Sequence, residues 1–98
     1  MRVIAKSRLI EYGEKYGPDA DTQLRAWYSE AKEAEWSRPQ DIRDRYANVS
    51  IVGNETVIFN ICGNRYRLIA RIWYAGQQVY IKWFGTHEEY MQVDAEAI

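Results

Sequence analysis

Apolar residues recur at helical spacing in the first half of the chain and alternate with period two in much of the second. Leu24, Trp27, Tyr28, Ala31 and Ala34 fall three or four positions apart behind Asp19 and Asp21. The spacing predicts an amphipathic helix of about four turns with acids at its N-terminus, and the stripe is core rather than a cofactor pocket. A shorter helix, about Ser7 to Tyr16, precedes it and ends at Gly17-Pro18; before that, Met1 to Ala5 (MRVIA) reads as a short strand. Ser37-Arg38-Pro39-Gln40 has the form of a capping box with proline early in a helix, and Ile42 with Tyr46 supplies the apolar stripe of a brief third helix.

The period then changes. Val57, Phe59 and Ile61 alternate with Thr56, Ile58 and Asn60, and Gly63-Asn64 follows as a hairpin turn. NRYRLIARIWY, Asn64 to Tyr74, comes next; after Ala75-Gly76-Gln77-Gln78, Val79, Ile81 and Trp83 alternate with Tyr80, Lys82 and Phe84. A turn at Gly63-Asn64 sets Phe59 opposite Leu68 on an apolar face and Asn60 opposite Arg67 on the other. A two-residue turn at Gly76-Gln77 sets Tyr74 opposite Val79, Ile72 opposite Ile81 and Ala70 opposite Trp83, with Arg71 facing Lys82 and Trp73 facing Tyr80. The expected architecture is α+β: an N-terminal strand and two to three helices packed on one face of a small antiparallel sheet, a short C-terminal helix, and one domain over residues 1–98. The other sheet face is expected to stay open.

Composition narrows what that open face can do. The chain has 98 residues, four Trp, eight Tyr and a formal net charge of −1, which argues against wholesale attraction to a polyanion. Residues 1–45 balance nine basic against nine acidic side chains, whereas residues 56–87 hold Arg65, Arg67, Arg71 and Lys82 and no acid. A polyanion site therefore belongs to the second half. Cys62 is the only cysteine and His87 the only histidine, so neither an intrachain disulfide nor a Cys/His zinc site can be assembled. No run approaches the roughly 18 apolar residues of a membrane span, and MRVIAKSRLIEYGEKYG lacks the apolar core of a signal peptide; a cytoplasmic protein without a membrane partner is expected.

The candidate chemistry lies on the acid-free stretch. A solvated sheet face needs polar residues, and arginine covers apolar surface well, but such a face ordinarily mixes signs. Arg65, Arg67, Arg71 and Lys82 among Trp73 and Tyr80 suit phosphates and splayed bases, because guanidinium groups bind oxygen pairs and aromatic rings stack. In FGTHEEY, Thr86 and Glu89 form a T-x-x-E capping box, a structural role that leaves His87 and Tyr90 free on one helical face. Histidine transfers protons near neutrality, and a phenol does so when neighbouring cations lower its pKa. Glycine-rich phosphate loops, G-x-S-x-G and recognisable paired carboxylates are absent. Two other readings use the same face: a non-catalytic RNA- or ribosome-binding module that inhibits translation, and a protein-interaction domain centred on Trp73 and Tyr80.

The run FNICGNRYRLIARIWYAGQQVYIKWFGTHEEY, Phe59 to Tyr90, resembles the HigB toxins of bacterial toxin-antitoxin systems. Its pattern is F-N-x-x-G-N-x-x-R-L-x-A, then Y-I, then T-H-x-E-Y. The resemblance implies a RelE-like fold and an mRNA interferase that cuts translated messenger RNA at the ribosome without a metal or other cofactor. It also implies a cognate helix-turn-helix antitoxin of the HigA kind. Carried across by position, it singles out Asn64, Arg67, Thr86, His87, Glu89 and Tyr90; Arg65, Arg71 and Lys82 are added by the charged face. The expected catalytic set is Arg67, His87, Tyr90, Arg71 and Lys82, with Asn64, Arg65, Trp73 and Tyr80 holding RNA.

Overall fold

A computed structural model describes residues 1–98. In chain order the elements are β1 (Arg2–Ile4), α1 (Lys6–Tyr16), α2 (Pro18–Glu33), α3 (Pro39–Arg45), β2 (Ser50–Val52), β3 (Thr56–Ile61), β4 (Tyr66–Trp73), β5 (Gln78–Thr86) and α4 (His87–Tyr90). One five-stranded sheet runs β1-β5-β4-β3-β2, antiparallel except for the β1–β5 pair. This is the α+β arrangement that the change of period predicts, with one strand more: β2 is too short for its alternation to be read. No helix is long and apolar enough to cross a membrane.

The helical stripe becomes the core. Leu24, Trp27 and Ala31 of α2 are buried with Phe59, Leu68, Ile72, Val79 and Ile81 of the sheet. Phe59 is the hub: Trp27, Trp36 and Tyr46 place their rings 5.2, 6.2 and 5.1 Å from its centroid. Full burial of such a side chain contributes about 1.5–3 kcal/mol. A Cβ at position 13 would press on the Asp21 side chain where α1 and α2 approach, which favours glycine there. Gly17, at φ 102°, turns the chain between these helices.

The first hairpin keeps the predicted register: Phe59 pairs with Leu68 and Asn60 with Arg67. Consecutive left-handed residues, Cys62 at φ 54° and Gly63 at φ 66°, close its tip. The second hairpin differs. Its connection is a four-residue loop, Tyr74 to Gln77, with Gln77 at φ 53°, so Ile72 lies opposite Val79, Ala70 opposite Ile81, Arg71 opposite Tyr80 and Trp73 opposite Gln78. A shift of two preserves the faces, which is why the hydrophobic pattern cannot detect it. A bulge then changes the register: Ile69 pairs with Trp83, and Lys82 is the extra residue of β5.

Two further expectations are corrected. Ser37 does not cap α3; Arg38 is the N-cap residue, without a side-chain cap, and the Ser37 backbone N–H donates to Asp41 Oδ2 at 2.8 Å. The outer sheet face is not open throughout. Its rows run Asn60–Arg67–Gly85, then Ile58–Ile69–Trp83, then Thr56–Arg71–Tyr80–Ile4, then Trp73–Gln78–Arg2. Ile58 and Ile69 are buried, so an apolar row separates Arg67 from Arg71.

Candidate active site

The hairpin tip and α4 meet at one end of the outer face. Arg67 Nη1 donates to the carbonyl oxygens of Asn64 at 3.0 Å and Tyr66 at 3.2 Å, and Nη2 donates to Asn64 Oδ1 at 3.3 Å. Its guanidinium carbon lies 5.9 Å from the centre of the Tyr90 ring, which in turn lies 6.4 Å from the Trp83 ring. These contacts fix the plane of the guanidinium while leaving two of its five N–H donors uncommitted. No carboxylate lies within ion-pairing distance of Arg67; the ion-paired arginines are Arg25, Arg38, Arg45 and Arg65.

Helix α4 starts as its sequence predicts. The Glu89 backbone N–H donates to Thr86 Oγ1 at 3.1 Å and the Thr86 backbone N–H donates to Glu89 Oε1 at 2.8 Å. The His87 backbone N–H donates to the Arg65 carbonyl at 2.9 Å, tying this turn to the hairpin. His87 is exposed, on an open groove of about 570 Å³ lined by Asn64, Arg65, Tyr66, Thr86, His87 and Glu88. Asn64 thus belongs both to this groove and to the hydrogen bonds that hold Arg67.

The fold brings together Asn64, Arg67, Thr86, His87, Glu89 and Tyr90 and disperses the other candidates. Arg65 shares the hairpin tip but pairs with Asp19 at 3.3 Å and lies over the Tyr66 ring. Arg71 is two rows from Arg67, where Nη2 donates to the Ile98 carbonyl at 3.3 Å. Lys82 sits at the bulge between them, half-buried. Trp73 and Tyr80 occupy the far end of the face and are exposed. The single cationic cluster expected from alternation is therefore one ordered arginine beside α4 and a second group of cations beyond an apolar row.

Three residues that support the site escaped sequence reasoning. Tyr16, at the end of α1, donates its hydroxyl to Glu89; its partner is 73 positions away, so no local pattern reveals it. Trp83 backs the Tyr90 ring. Gly85, opposite Arg67, is the third: a Cβ there would come 2.5 Å from the Trp83 ring and 3.0 Å from Glu89 Oε1. A glycine inside a strand signals such a close approach. Backbone and hydroxyl donors, Thr86 first and Tyr16 next, hold the Glu89 carboxyl below its usual range. Burial, followed by the bond to Glu89, pushes the Tyr16 hydroxyl up to about 12.

A guanidinium with free donors suits a phosphate, and the imidazole and phenol on the adjoining turn are groups that transfer protons. The model of a family described as the RelE-like toxic component of a toxin-antitoxin system matches residues 20–93. Among curated proteins, the mRNA interferase HigB of Escherichia coli O6:H1 is 29% identical, over 92% of this chain and 88% of its own length. The mRNA interferase toxin HigB of Escherichia coli K12 and the mRNA interferase HigB of Shigella flexneri are each 26% identical over the same shares.

Proposed function

The chain belongs to the HigB toxin family, the RelE-like toxic components of toxin-antitoxin systems, and from that premise we propose that it is an endoribonuclease that cuts messenger RNA under translation at the ribosome. The observation that carries this reading is Arg67: oriented by Asn64 and Tyr90, free of any carboxylate partner, and joined through Asn64 to the groove that the exposed His87 lines. The relatives named as mRNA interferases support the substrate class. The cognate partner is a helix-turn-helix antitoxin of the HigA kind, and the protein works in the cytoplasm.

Cleavage proceeds by attack of the RNA 2′-hydroxyl oxygen on the adjacent phosphorus. The 2′-oxygen–phosphorus bond forms, the phosphorus–5′-oxygen bond breaks, and the products are a 2′,3′-cyclic phosphate and a 5′-hydroxyl. One proton leaves the 2′-oxygen and one reaches the departing 5′-oxygen; His87 and Tyr90 are the groups that transfer them. Arg67 donates to the non-bridging oxygens as charge builds on the pentacoordinate phosphorus, a contribution worth roughly 10²–10³-fold in rate. Lys82 and Arg71 neutralise neighbouring phosphates, and Asn64 and Arg65 line the entry of the strand.

Primer extension on an abundant transcript after induced expression tests this reading. New 5′ ends inside translated codons are expected with the wild type and are lost with Arg67→Ala and His87→Ala. Growth arrest without new ends would replace the nuclease by a binding inhibitor of translation, and ends that persist in both variants would remove these residues from the site.

A further inference from the structure

The far end of the outer face is built as a stacking platform that α4 does not reach. Trp73 is 53% exposed although it closes a strand of the sheet. Its indole lies against the next turn, because a Cβ on Gly76 would overlap the ring. Gly76 has no positive φ, so the turn does not need glycine for its backbone; the ring does. Tyr80, one row in and 36% exposed, has its hydroxyl fixed by donation to the Gln78 side chain.

Cations flank these rings. Arg71 pairs across the ladder with Tyr80. Arg2 pairs with Gln78 at the opposite edge, and because Met1 and Val3 pack into the core, alternation turns Arg2 to this face. Neither arginine pairs with an Asp or Glu side chain; Arg71 Nη2 donates to the Ile98 backbone oxygen at 3.3 Å, a contact that a bound phosphate would replace. Trp73 is six positions from Arg67 along β4, about 20 Å, a distance that a few extended nucleotides span.

We propose that Arg2, Arg71, Trp73 and Tyr80 form a second subsite for single-stranded RNA, in which a base away from the cleaved bond stacks on the Trp73 indole and Arg2 and Arg71 hold its flanking phosphates. The subsite rests on the nuclease reading above and adds to it where the message is gripped beyond the reacting phosphate. Base stacking on aromatic rings beside cations is how sequence-tolerant single-strand binders work. Cations without an acid among residues 56–87 favour a polyanion such as RNA over a protein interface of mixed charge.

The test compares two fluorescein-labelled 2′-O-methyl oligonucleotides, which cannot be cleaved: a short one covering the α4 end, and one of roughly 8 nucleotides that spans the face. Wild type is expected to bind the longer one more tightly. Trp73→Ala should lose that increment, about 5- to 150-fold, whereas Trp73→Phe, which retains a π face, should keep much of it. Equal affinity of wild type for both lengths, with message cleavage intact, would overturn the subsite alone; no binding of either and no cleavage would overturn the nuclease reading with it. Should Trp73→Ala weaken the complex with the antitoxin and leave both oligonucleotides unaffected, the platform would be a protein-docking surface.

Discussion

The Tyr16 hydroxyl donates to Glu89 Oε1 at 2.7 Å, and the same oxygen accepts the Thr86 backbone N–H at 2.8 Å. The end of α1 is thereby joined to the first turn of α4. Tyr16 is itself wedged edge-on against Tyr66 and Phe84, with centroids at 5.6 and 5.3 Å. A four-residue helix has little stability of its own, so the position of His87 and Tyr90 depends on this tie and on the capping box.

Tyr16→Phe should therefore cost about 1 kcal/mol of stability, read by urea denaturation. It should also lower kcat for RNA cleavage more than it changes KM, because the ring stays packed while α4 loosens. An unchanged kcat alongside the stability loss would show that the bond only supports the fold.

The Glu89 carboxyl has a lowered pKa in the folded state, so its contribution is present above the unfolded value near 4.5 and is lost as pH falls through the lowered one. Tyr16 has a raised pKa, so its contribution is present below the unfolded value of 10.0 and is lost as pH rises through about 12. Thermal melts should show the stability gap between wild type and Glu89→Gln narrowing in acid. The gap between wild type and Tyr16→Phe should narrow on the alkaline side.

Gly85→Ala should impair cleavage while leaving the core folded. The added methyl would press on the Trp83 ring and Glu89 Oε1, shifting both the support of Tyr90 and the cap of α4. Crowding of this kind typically costs 1–3 kcal/mol; melts and primer extension on the same variant would separate the two effects.

Phe59→Ala should destabilise by about 3–5 kcal/mol, since it removes the ring around which Trp27, Trp36 and Tyr46 pack. For a chain of this size that is a large share of total stability. A urea midpoint close to that of the wild type would mean that neighbouring aromatics collapse into the space.

Legibility in the sequence followed the range of the interaction. The T-x-x-E cap joins residues three apart, and both of its hydrogen bonds form as read. The Gly63-Asn64 hairpin was legible down to its register because its turn brings neighbouring residues together. The Tyr74–Gln77 loop was misread by two positions, since a shift of two leaves the same residues on the same face. Ser37 was misassigned as a cap because Asp41 takes its backbone N–H in competition.

Period and charge, both properties of the linear chain, determined which side of the sheet is core, where the helices lie, and that the cations unbalanced by acids fall in residues 56–87. The tertiary structure alone decided that Arg67 stands with Asn64 and Tyr90 while Arg71 stands apart with Tyr80 and Trp73. A bulge at Lys82, a buried Ile58–Ile69 row and a hydroxyl from Tyr16 set those distances. Each is a contact between residues far apart in the chain, and alternation specifies a side chain's face but not its neighbours across the sheet.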